Sequence, residues 1–156
     1  LEYPYEALRE AIINALIQHF SGHALWTAPT GTAFAIMVGV CIEISLMFSI
    51  AGMVAAKLLP KDRSAKLLGI NSRVFIALTS AAGASILEIF LVRTPSFVWV
   101  YPWWGALPVF ITVYIPFFAA AVWCHETELK KSFTFIGILG AINLAGLIVF
   151  GALGWI

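Results

Sequence analysis

The sequence predicts an all-α integral membrane protein: a bundle of four transmembrane helices preceded by an amphipathic N-terminal helix. Three observations predict it. Of 156 residues, 62% are hydrophobic and 11% charged, against about 25% charged in an average soluble domain, and mean hydropathy is +0.97. Four apolar segments are long enough to cross a bilayer, which takes about 20 helical residues. Long runs of alternating polarity are missing from the sequence, which argues against a membrane barrel. With no internal repeat, low-complexity tract or soluble segment, residues 1–156 read as a single membrane domain.

The amphipathic helix is predicted over residues 4–22. Glu6, Glu10, Asn14 and Gln18 fall at i+4 spacing on one stripe, and Leu8, Ile12 and Leu16 on the opposite one. Such a helix lies in the interface plane or docks with its polar side toward water or a partner, and its leucine stripe should be buried. The four spans are predicted at 34–57, 74–92, 105–124 and 133–156. In the third span, Pro108 falls in the opening turn and is tolerated there. Pro116 is mid-span and should kink the helix, freeing a carbonyl near Thr112.

The linkers set the expected topology. Lys57, Lys61, Arg63, Lys66 and Arg73 cluster in the first, and Lys130 and Lys131 in the third, against Arg93 in the second and Arg9 near the start. Basic loops stay in the cytoplasm, so linkers 57–73 and 125–132 are placed there and both termini outward. The first residues carry no signal-peptide pattern. That topology therefore suggests an upstream segment, or an N-terminal stretch that itself enters the membrane. The second linker holds Trp99, Tyr101, Trp103 and Trp104. These residue types favour the headgroup level, so the loop reads as an interfacial anchor or as a lid over an outer cavity.

Several functions are excluded. A net charge of +1 argues against nucleic acid as a partner. Cys41 and Cys124 both fall in spans and form no CxxC pair, so no disulfide or thiol-redox motif is expected. No phosphate loop, Ser/His/Asp set or CxxC zinc pattern is found, and a self-contained bis-histidine haem site has no second intraspan histidine.

Two carboxylates remain, Glu43 and Glu88, each inside an apolar span. An ionisable group in hydrocarbon persists mainly where it faces protein or a wet cavity. Gly39, Ala35 and Thr32 lie on the Glu43 stripe, and Ala84, Ala81 and Ala77 on that of Glu88. Small stripes let helices approach closely, so both acids should point at other helices and could share one outer-half cavity. The alternatives are two separate hydrogen-bonded packing contacts and, for Glu88, a snorkelling position near the headgroups. His19 and His23 stand at i and i+4, a spacing that suits a divalent metal such as zinc when a carboxylate completes the set; interfacial hydrogen bonding is the competing reading. His125, Glu126, Glu128, Lys130 and Lys131 read as a solvated turn, and Asn143 as an interhelical hydrogen-bonding residue.

The stretch Gly22, His23, Ala24, Leu25, Trp26, Thr27, Ala28, Pro29, Thr30, Gly31 resembles the histidine motif of PrsW-type intramembrane proteases. The resemblance would make His23 a metal ligand or active-site residue. It covers about ten residues; the paired-glutamate motif, the glutamate-bearing helix and the later histidine–asparagine motif of that family have no counterpart here.

Three functions stay open. One is a membrane-embedded enzyme acting on a lipid-like or peptide substrate, with Glu43 and Glu88 as acid and base, or joined by His19 and His23 as zinc ligands. The second is a proton-coupled carrier using Glu43. The third is a non-catalytic subunit of a larger membrane complex, whose partners beyond the bilayer would be other membrane subunits or further copies of itself.

Overall fold

A computed structural model describes residues 2–20, 42–95, 99 and 102–154. Helix α1 runs Glu2–Phe20 and α2 runs Ile42–Lys57; the 34–41 part of the first expected span lies outside the described residues. Two short antiparallel strands follow, β1 (Lys66–Leu67) and β2 (Ile70–Asn71), with Lys66 opposite Asn71 and Leu67 opposite Ile70. Helix α3 is Ser72–Leu91, capped by the Asn71 side chain, which accepts the Arg73 amide at 2.9 Å. A long third helix is built from α4 (Ala106–Val109), a π-helical turn (Phe110–Tyr114) and α5 (Ile115–Glu126). Helix α6 is Leu129–Ala152. Among the described residues, three helical stretches are long and apolar enough to cross a membrane: Ser72–Leu91, Ala106–Glu126 and Leu129–Ala152.

The hairpin is an element the sequence reading missed. Its two-residue turn, Leu68–Gly69, has positive φ at both positions (51° and 81°), the backbone that matches strand twist in a tight hairpin. Nothing in a leucine announces that conformation, which Asn or Gly adopts more readily.

The chain forms two compact units, residues 1–54 with 123–156, and residues 55–122. In the first, α1 lies along α6. Arg9 Nη2 donates to the Thr127 carbonyl (3.1 Å) and Glu10 pairs with His125. Eleven residues further along α1, the Phe20 ring sits 3.8 Å from where a Cβ on Gly140 would be. The contacts occur in the same order along both helices, so α1 and α6 run parallel, with Arg9 and Glu10 beside the 125–132 linker.

The face that α1 buries is the reverse of the one expected. Leu8 is 58% and Ile12 45% exposed, whereas Asn14 is 3% and Gln18 1% exposed, beside buried Ile13 and Ile17. The expectation took water as the solvent outside. When the surroundings are hydrocarbon, the apolar stripe faces out and the polar stripe faces protein. Helix α2 meets this polar stripe: Ser49 Oγ donates to the Ala11 carbonyl at 2.9 Å. At Gly52, a Cβ would lie 2.6 Å from Asn14 Oδ1, inside any real contact distance. Gly52→Ala must therefore swing the Asn14 amide out of its place. It is expected to destabilise the protein by about 1–3 kcal/mol, read as a lower Tm in detergent. Combining it with Asn14→Ala should recover most of that loss, because the two changes share one contact.

In the second unit, α3 packs against α4 and the π turn. The small stripe expected beneath Glu88 is buried at Ala77 and Ala81, with Ser85 next to it, and Ser85 Oγ donates to the Ala106 carbonyl at 2.7 Å. Small side chains let the two helices approach to hydrogen-bonding distance.

Candidate functional site

Glu88 occupies the last turn of α3, one turn beyond Ser85, and is half-buried. One carboxylate oxygen accepts the Tyr114 hydroxyl, and the other accepts the Trp99 indole N–H at 3.3 Å. One acid thus joins three parts of the unit: helix α3, the π turn and the aromatic linker.

The π turn positions Tyr114. Pro116 has no amide hydrogen and its ring crowds the carbonyl four residues back, that of Thr112. The helix accommodates this by widening for a turn: the Ile115 amide bonds the Phe110 carbonyl, five residues back. Thr112 Oγ1 also donates to the Pro108 carbonyl at 2.8 Å. The kink expected from Pro116 is thus realised as a π turn just before it. Such turns recur at functional sites because they rotate the following side chains out of α-helical register. Trp99 is held from the other side, its ring 3.7 Å from where a Cβ on Gly105 would stand. The Trp99 N–H and the Tyr114 hydroxyl both point at the carboxylate, so the acid lies against the polar edges of two aromatic rings.

The other expected site residues fall elsewhere. Glu43 lies in α2 and His19 in α1, but their side chains are outside the described residues, as is all of His23. Whether they join Glu88 in one site thus lies outside the described residues. Among the described residues, no three His, Cys, Asp or Glu side chains gather in a metal-holding arrangement. Cys124 is a buried free thiol, and Cys41 lies outside the described residues.

Two features were missed in the sequence. Tyr114 is one; its signal was a phenol hydroxyl in an apolar span, two residues before a mid-span proline. The Glu10–His125 pair is the other; it joins residues far apart in the chain, and no local pattern foretells it. Asn143 was expected to hydrogen-bond between helices. It is buried in α6, and among the described residues neither end of its amide has a hydrogen-bond partner, nor do Asn14 Oδ1 and Ser45 Oγ, buried in the same unit.

An uncharacterized membrane protein family matches residues 3–152 of this chain. The chain is also 45% identical over 152 residues to an uncharacterized protein of Archaeoglobus fulgidus, an alignment that covers 93% of this chain and 72% of the relative. No solved structure matches.

Proposed function

The chain belongs to that uncharacterized membrane protein family, and from the chemistry of Glu88 we propose that it is a membrane carrier in which this carboxylate exchanges a proton for an amphipathic organic cation. The carrying observation is the Glu88 cluster itself: an acid inside a candidate span, bonded by Tyr114 and Trp99. A carboxylate there can hold either a proton or a cation, not both, and competition of this kind couples two ions. Two aromatic rings beside the acid favour a delocalised or alkylated cation over a small hydrated one.

Helix α1 refines the topology within this reading. Its Arg9 and Glu10 lie beside the 125–132 linker, which the charge pattern puts in the cytoplasm, and its inverted polarity supports entry of this helix into the membrane. Arg9 then joins the cytoplasmic set, leaving Arg93 as the single exception among nine basic residues. That bias supports the orientation more strongly than the four-span reading did.

The test is uptake of tetraphenylphosphonium by proteoliposomes with an imposed pH gradient. Uptake that follows the gradient and collapses when a protonophore dissipates it is expected. Equal uptake with and without the protein would overturn the reading. The π turn gives a second test. Pro116→Ala restores the missing amide and lets the turn relax to α-helix, rotating Tyr114 away from Glu88. It is expected to destabilise the protein as far as Tyr114→Phe does, by about 1.5–3 kcal/mol for the loss of one hydrogen bond to a charged group, read as a lower Tm in detergent.

A further inference from the structure

The loop between α2 and α3 carries a feature that the Glu88 cluster does not use. Leu68, at the tip of the hairpin, is 89% exposed and has φ of +51°. A leucine is a poor choice there on both counts: the backbone favours Asn or Gly, and a free apolar tip invites association. Leu58, Leu67 and Ile70 are exposed around it, and Lys61, Arg63 and Lys66 are exposed among them.

The loop is firmly built. Arg73 donates to the Asp62 carbonyl (2.8 Å) and to the Pro60 carbonyl (2.9 Å), Asn71 Nδ2 donates to the Arg63 carbonyl (3.3 Å), and the Ser72 amide donates to the Ala65 carbonyl (2.9 Å). The one acid in the loop, Asp62, is engaged by the Ser64 amide and hydroxyl. These bonds hold its carboxyl below the usual carboxylate range. The exposed leucines are thus presented by a fixed scaffold whose outward charge is basic. That scaffold stands at the membrane edge, because β2 ends at Asn71 and the membrane-spanning helix α3 begins at Ser72.

We propose that this hairpin is a lipid-docking finger: Leu68 and its apolar neighbours enter the acyl boundary, while Lys61, Arg63 and Lys66 hold the phosphates of anionic phospholipids. Basic residues at a membrane edge attract anionic headgroups, and apolar side chains anchor beneath them. The strained tip fits this occupant, since a turn kept only for its geometry would carry Asn or Gly.

The test uses the full chain with Cys41 and Cys124 replaced by serine and alanine, Leu68→Cys labelled with an environment-sensitive fluorophore, and reconstitution into vesicles. In vesicles containing phosphatidylglycerol, quenching by lipids spin-labelled on the acyl chain should exceed that in pure phosphatidylcholine at least twofold. Raising salt to the molar range should remove the difference. A label quenched by aqueous iodide to the same extent in both bilayers would overturn the proposal. A second variant, Leu68→Asn, suits the turn and keeps the fold. It should hold or raise the Tm in phosphatidylcholine yet lose the Tm gain that phosphatidylglycerol gives the parent. Retention of the full gain in Leu68→Asn would contradict the finger.

Discussion

Glu88→Gln is expected to abolish measurable binding of amphipathic cations, a loss of at least tenfold in affinity, while leaving the folded protein close to parental stability. The amide keeps an oxygen for the Tyr114 hydroxyl, so the larger hydrogen bond survives; its NH2 group meets the Trp99 N–H, and that weaker 3.3 Å contact is lost. A net change in stability of about 1 kcal/mol follows. Glu88→Ala should behave differently. It removes the carboxylate that accepts the Tyr114 hydroxyl, at a cost of about 1–3 kcal/mol, so it should lower both Tm and binding. The contrast separates charge from architecture: if Glu88 were only a tie between helices, Gln and Ala would differ in stability alone and neither would alter a cation-dependent signal.

Asn14→Lys is expected to prevent stable assembly, with a loss of about 3 kcal/mol or more. The side chain would place an ammonium between helices at a position 3% exposed, where the acid one turn away, Glu10, is already paired with His125, and a buried charge so poorly compensated carries a penalty of that order. Glu6→Lys, on the same stripe but exposed, should change stability by no more than about 0.5 kcal/mol. A helix lying in the interface with its polar stripe in water would tolerate both changes equally. Stability in detergent, followed by fluorescence-detected size exclusion after heating, distinguishes the two arrangements.

The sequence carried the architecture well where hydrophobic length decides it. The three long spans fall within a few residues of the expected bounds, because a bilayer leaves a helix little choice. It failed where the identity of the solvent had to be known. The alternation of polar and apolar faces in α1 was legible; which face turns inward was not, since lipid and water give opposite answers for Leu8 and Asn14. At the site, Glu88 stood out by its cost in an apolar segment, and Pro116 marked the place of distortion. Their meeting through Tyr114 depends on how much a π turn rotates the chain, and that is a tertiary result. The turn at Leu68 was hidden for another reason: its residue argues against the backbone it adopts.

The most direct test of the Glu88 assignment is the pH dependence of tetraphenylphosphonium binding to the purified protein. If a proton and the cation compete for one carboxylate, the apparent affinity falls with acidification, approaching about tenfold per pH unit once the acid is largely protonated, and Glu88→Gln shows no binding at any pH. Affinity that is flat with pH, or that survives unchanged in Glu88→Gln, would contradict the account.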